Sequence, residues 1–247
     1  MKINQLKKLL HDFSENLHFE YDLKKKNWFN IGGKSKVFFE ANNLNQLINF
    51  LKILNNRERI FVLGAGSNIL ITDDLFDGVV IKLGKNFSNI TLHSENVIIA
   101  GSSVLDKSLS NFAFKNHLSG FEFLSCIPGT IGGGISMNAG CFGKEFKDIL
   151  VSVQAIDKFG KVVAIPSKEI KFEYRKNNIP EDYIFLSASF KGIKSNQKEI
   201  EATTNKLKSI KEKNQPTRIK TSGSTFKNPV SQTDKKVWEL IKDSVPL

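Results

Sequence analysis

Two glycine-rich stretches carry the residue types most able to do chemistry. The first is Gly64-Ala65-Gly66-Ser67-Asn68, set between apolar runs at 60–63 and 69–72. Glycine lets successive backbone N–H groups turn toward one anion. Ser67 and Asn68 add side-chain donors, so the stretch suits a phosphate. A plain tight turn between two strands is the alternative reading. The second stretch, 125–143, has five glycines between 129 and 140, namely Gly129, Gly132, Gly133, Gly134 and Gly140. Glycine at that density weakens any strand or helix. The segment therefore reads as a long loop whose backbone approaches a flat or phosphorylated ligand.

Two other signals fail on context. Gly32-Gly33-Lys34-Ser35 ends like a P-loop, but position 28, where that motif needs glycine, is Trp28. Gly64-Ala65-Gly66 begins like a dinucleotide fingerprint, but the third glycine is missing. That fingerprint must also open a helix, whose N-terminus holds the pyrophosphate, and 69–71 reads as a strand.

The elements that must position these stretches are mixed. Strands are expected at 36–41, 60–63, 96–100, 149–157, 161–165 and 184–190. Helical spacing of Leu44, Leu47, Ile48, Leu51 and Leu54 marks 44–54, and Leu105, Leu109, Phe112 and Ala113 mark 104–116. A polar amphipathic helix follows at 195–214, and another starts at 235. Without regular βαβ alternation this is an α+β chain. The composition shift near 195 sets a boundary between domains 1–194 and 195–247.

Composition excludes several classes. Of 247 residues 40% are hydrophobic and 20 are Phe, enough for a sizeable core. Lys and Arg number 36 against 25 Asp and Glu, a net charge of +11. The lysines are dispersed, which argues against a nucleic-acid stripe. They leave a solvated surface or a multiply anionic small molecule as partner. Cys126 and Cys141 stand fifteen apart, which excludes a disulfide scaffold and a CxxC site. His11, His18, His93 and His117 show no metal-ligand spacing, so no metal is expected. No run approaches the ~18 apolar residues of a membrane span. The first eight residues have no secretory h-region, so a cytoplasmic location off the membrane is expected.

Further along stand Phe172-Glu173-Tyr174-Arg175 and Gly223-Ser224-Thr225-Phe226-Lys227-Asn228-Pro229. Taken with NWFNIGG (27–33), LGAGSNILITD (63–73), GVVI (78–81), IPGTIGGGISMNAGCFG (127–143) and QP (215–216), in that order, they resemble one family over nearly the whole chain. It is the MurB-type flavoenzyme family, the UDP-N-acetylenolpyruvoylglucosamine reductases of peptidoglycan synthesis.

The resemblance implies a two-part FAD-binding unit of the vanillyl-alcohol-oxidase (PCMH) type, split near 85, followed by a substrate domain. It implies FAD as cofactor and NADPH and a UDP-linked sugar as the small-molecule partners, with no obligate protein partner. By motif position Gly64, Gly66, Ser67 and Asn68 make the first cofactor contact. Pro128, Gly129, Thr130, Gly132, Gly133, Asn138 and Ala139 make the second. Arg175 matches the catalytic arginine and Ser224 the serine proton donor. Tyr174, Lys227 and Asn228 match substrate-holding positions. The family's catalytic glutamate lies beyond the position of Leu247, and Glu239 precedes the expected motif. The chain is therefore expected to be incomplete as an enzyme and loosely packed after 195. A non-catalytic nucleotide binder and another FAD oxidoreductase of the same fold are the alternatives.

Overall fold

The computed structural model describes residues 1–214, 226–229 and 232–245. Two sheets organise it. In the first half, helix α1 (Ile3–Leu9) leads to β1 (Leu17–Asp22), β2 (Lys34–Ala41), helix α2 (Leu44–Leu54), β3 (Ile60–Val62) and β4 (Phe76–Leu83). The strands form one sheet in the order β1-β2-β4-β3. β1 and β2 are antiparallel, while β2 and β3 both run parallel to β4. Asn43 caps α2, its side chain accepting from the Gln46 N–H, and Asn55 closes the helix in the left-handed region. The face of α2 made by Leu47, Phe50, Leu51 and Leu54 is buried on this sheet with Val37, Phe39, Val79 and Ile81. Phe39 and Phe50 stack, and Phe13 meets both edge-on.

The second half begins with β5 (Ile90–Ser94), β6 (Val97–Gly101), helix α3 (Asp106–Lys115), β7 (Leu118–Ser119) and helix α4 (Ile131–Ser136). A short hairpin, β8 (Gly140–Cys141) and β9 (Lys144–Glu145), precedes β10 (Leu150–Ile156) and β11 (Val162–Pro166). A second hairpin, β12 (Phe172–Glu173) and β13 (Lys176–Asn177), precedes β14 (Ile184–Lys191), β15 (Ile193–Lys194) and helices α5 (Gln197–Asn214) and α6 (Val237–Ser244). The second sheet is antiparallel, in the order β11-β10-β14-β6-β5. Along β14 the burial alternates, as a strand packed on one face requires. Ile156, Ile184 and Leu186 of this sheet pack into the first core and tie the two halves together.

Four expectations need correction or extension. Residues 69–72 form no strand: Ile69 and Ile71 pack on Leu23, Phe38, Leu63 and Val80, across the open face of the first sheet, instead of joining its edge. The stretch 125–143 is not one loop, because its triple glycine lies inside α4. Residues 197–214 do not pack loosely. Ile200 is buried, Leu207 packs on the second core and Lys211 Nζ donates to the Cys126 carbonyl. Finally, α1, β1 and β5 are among the elements not read from sequence. α1 buries Leu6 alone among its residues, and β1 alternates exposed His18, Glu20 and Asp22 with half-buried Phe19 and Tyr21.

Candidate functional site

The two glycine stretches come together at Gly64 and Thr130, 66 positions apart in the chain. A side-chain carbon at Gly64 would lie 2.7 Å from Thr130 Oγ1, so the bare Gly64 Cα faces the buried Thr130 hydroxyl. Gly66 has φ +70°, and a Cβ there would collide with the Lys26 carbonyl. Only glycine suits that position. The Gly66 carbonyl accepts from the Trp28 N–H at 3.0 Å, which seats the turn on segment 26–28. Ser67 is half-buried and Asn68 exposed. The turn is therefore open on one side and rigidly backed on the other.

In the second stretch the Asp106 N–H donates to the Gly129 carbonyl, and the Ile131 and Gly132 N–H groups donate to Val104 and Ser102. Pro128 and Gly133 are exposed, Gly129, Gly132 and Ala139 half-buried, Asn138 buried. Three adjacent glycines in a helix cost stability, ~1 kcal/mol each against alanine. Two have a reason within the protein. A Cβ at Gly132 would press on Ser102 Cβ at 3.1 Å, and one at Gly134 would collide with the Phe146 ring. Gly133 has none, since its nearest neighbour would be Thr130 Oγ1 at 3.6 Å, an ordinary contact. Among the described residues, no other atom beyond the helix's own backbone and the flanking residues comes within 4 Å of that point.

Buried polar atoms face this seam without partners. Both Asp106 carboxylate oxygens and Ser102 Oγ are fully buried and unbonded among the described residues. Burial pushes the Asp106 carboxyl up to about 8, so at neutral pH it largely keeps its proton. A Cβ at Gly129 would meet Asp106 Oδ2 at 2.7 Å, so a bulky residue at 129 strains the protein itself as well as any ligand. Unpaired buried groups call for a partner, and a molecule with hydrogen-bonding edges and phosphates supplies one. These residues fit a dinucleotide-sized cofactor.

Two of the remaining expected residues sit on a neighbouring hairpin. Tyr174 and Arg175 form the two-residue turn between β12 and β13, Arg175 at φ +59° with its guanidinium 5.4 Å from the Tyr174 ring centre. Two asparagines fix this hairpin to the glycine segment. Asn177 Nδ2 donates to the Ile135 and Ser136 carbonyls at 3.1 and 3.0 Å. Asn138 Nδ2 donates to Glu145 at 2.9 Å and to the Glu173 carbonyl at 3.5 Å, while its Oδ1 accepts from the Lys147 N–H. Asn138 is thus a strut with its polar atoms engaged inside the protein. The Asn228 N–H points at the Tyr174 hydroxyl at 3.4 Å, and Asn228 Oδ1 accepts from the Val237 N–H. Lys227 is exposed. Ser224 lies outside the described residues.

Sequence reasoning missed Lys82, Ser102, Asp106 and Asn177. Lys82 carried a signal, a charge in the otherwise apolar run 79–83. The others are marked only by contacts across the fold. Cys126 and Cys141 are neighbours, but burial, together with the other thiol, pushes Cys141 up to about 12. That thiol is a poor nucleophile.

A family profile described as "FAD binding domain" matches residues 35–165, a span that contains the seam and both glycine stretches. The chain is thus of the FAD-binding class. A UDP-N-acetylenolpyruvoylglucosamine reductase of Pelagibacter ubique (strain HTCC1062) is 63% identical over 247 residues, covering 100% of this chain and 82% of that protein. The crystal structure of the reductase (MurB) from Thermus caldophilus superposes with a TM-score of 0.79 at 28% identity, over 92% of this chain and 79% of that one. The chain belongs to the UDP-N-acetylenolpyruvoylglucosamine reductase family. A 4-ethylphenol oxidase from Gulosibacter chungangensis shares the fold alone, with a TM-score of 0.56 at 13% identity over 78% of this chain and 43% of that one. The architecture is thus α+β of the vanillyl-alcohol-oxidase type.

Proposed function

We propose that the protein binds FAD across the seam between Gly64 and Thr130 and reduces UDP-N-acetylglucosamine enolpyruvate to UDP-N-acetylmuramate, with NADPH as reductant. Family membership supports the reaction, and the space above Gly133, open among the described residues, is the observation that carries the cofactor site. The backbone turn 64–68 would hold the pyrophosphate, and the 129–134 backbone would lie along the flavin. When bound, FAD supplies the hydride.

The chain's own residues handle the charge that follows. An alkene accepts hydride when an adjacent carboxylate takes up charge as an enolate, so cationic stabilisation dominates. Arg175 would grip that carboxylate through its planar fork, held in place by Tyr174 and by the Asn177 struts to α4. Ser224 would deliver the proton to the carbon next to the carboxylate. A serine hydroxyl is a weak acid, so this transfer requires a strongly basic enolate and close placement. Tyr174, Lys227 and Asn228 would hold the substrate, the Tyr174–Asn228 contact giving that group a common location. The product feeds peptidoglycan precursor synthesis in the cytoplasm. The described residues contain no helix long and apolar enough to cross a membrane.

The test is anaerobic and stepwise. FAD-loaded protein should bleach on addition of NADPH and regain its yellow colour on addition of the enolpyruvyl substrate. Bleached protein that the substrate leaves bleached would overturn the substrate assignment. Yellow protein that NADPH leaves unchanged would overturn the reductant.

A further inference from the structure

Lys82 stands on β4, where Val79, Ile81 and Leu83 face the first core. By strand alternation it shares the opposite face with Val80, the face crossed by the glycine turn. Its Nζ donates to the Gly64 carbonyl at 3.0 Å. Gly64 is the residue whose Cα abuts Thr130, so this ammonium sits where the two glycine stretches meet. A second cation stands nearby. Lys26 lies over the Tyr21 and Phe38 rings at 5.5 and 5.2 Å, and its carbonyl backs Gly66.

Neither lysine is in a salt bridge among the described residues, although Lys36, Lys147, Lys158 and Lys235 are. Glu40, opposite Lys82 on β2, attracts its charge without a hydrogen bond among the described residues, but burial first and the Lys26 charge second lower the Lys82 pKa. Two like charges held at one turn, both half-buried, destabilise the apoprotein. An anion between them reverses the sign of that interaction. Backbone N–H groups give a phosphate geometry, but a fixed cation gives it charge, and a charge-assisted hydrogen bond is the stronger kind.

We propose that Lys82, with Lys26 beside it, is the cationic half of an anion site at the 64–68 turn, and that it selects the pyrophosphate of the bound dinucleotide over the unphosphorylated flavin. The inference rests on the FAD reading above and assigns to two lysines a role the glycines alone do not fill. Lys82 acts here in binding.

The test is binding of FAD and of riboflavin to apoprotein, by flavin fluorescence, at two salt concentrations. Lys82→Met and Lys82→Gln should each raise the Kd for FAD by about tenfold or more at low salt. Riboflavin, which has no phosphate, should bind the variants and the wild type alike, which also shows that the variants fold. The salt dependence of FAD binding should flatten in both variants. Lys82→Gln keeps a donor for the Gly64 carbonyl, so wild-type FAD affinity in that variant would show that the hydrogen bond, not the charge, matters, and would overturn the proposal. Equal losses for FAD and riboflavin would also overturn it, as would a variant that no longer folds while Lys82→Arg is equally damaged. A wild-type protein that binds neither flavin would refute the underlying FAD reading instead.

Discussion

Gly133→Ala separates a ligand-shaped glycine from a protein-shaped one. Gly133 lies inside α4 without a positive φ, and among the described residues an added Cβ would meet nothing closer than Thr130 Oγ1 at 3.6 Å. Alanine in place of helical glycine therefore stabilises the apoprotein by ~0.5–1 kcal/mol. For a chain of this size that raises Tm by roughly 2 °C, 4 °C at most. If FAD lies against this position, the methyl group overpacks the contact. Overpacking costs ~1–3 kcal/mol, or roughly 5- to 150-fold in Kd. The variant should thus be more heat-stable without FAD and less stabilised by it. Gly134→Ala is the internal control, because its Cβ would collide with the Phe146 ring. It should lower apoprotein stability by ~1–3 kcal/mol. Differential scanning fluorimetry with and without saturating FAD reads both effects. If Gly133→Ala raised Tm equally in the two conditions, the space above Gly133 would not be a cofactor surface.

Three further outcomes follow from the same geometry. In Asp106→Asn the ionisable buried group is removed. The wild-type carboxyl, raised from 3.8 to about 8, contributes stability that is present at low pH and lost as pH rises between those values. The window spans about four pH units at ~1.4 kcal/mol each, an upper bound near ~6 kcal/mol. Urea unfolding at several pH values should show that loss in the wild type and a flatter profile in the variant, and parallel profiles would contradict the Asp106 assignment. Asn177→Ala removes two side-chain hydrogen bonds to α4, at ~1 kcal/mol each. Hydrogen exchange should quicken at 172–177 and stay unchanged in β6, β10 and β14, whereas uniform acceleration would mean a global defect. Arg175→Lys should keep FAD but bind the enolpyruvyl carboxylate far more weakly, because a point charge lacks the bidentate fork. Calorimetric titration with substrate reads it, and an unchanged affinity would remove Arg175 from the carboxylate site.

Much of this was legible from residue order, because local rules govern it. Helix α2 is bounded as its apolar spacing and Asn43 require, and β6, β10, β11 and β14 of the second sheet fall where strands were expected, while β5 was not read. The glycine stretches stood out by composition, and the structure brings Gly64 of one against Thr130 of the other. What escaped depends on distant partners. Glycine propensity argues against a helix at 131–136, yet Ser102, Thr130 and Phe146 shape one there by packing and by hydrogen bonds from the Gly132 and Gly134 N–H groups. Ile69 and Ile71 look like strand residues, but a sheet face, not an edge, was available to them. Asp106 is ordinary in sequence and Lys82 is marked only as a charge in an apolar run; the closure of the two sheets gives the one its burial and the other its place beside Gly64.

The central claim is that two stretches far apart in the chain form a single FAD seat. Hydrogen–deuterium exchange of the apoprotein, with and without FAD, tests it directly. FAD should slow exchange at 64–68 and at 129–134 together, leaving the outer surface of α1 and α2 unaffected. Protection of only one stretch, or protection centred elsewhere, would contradict it.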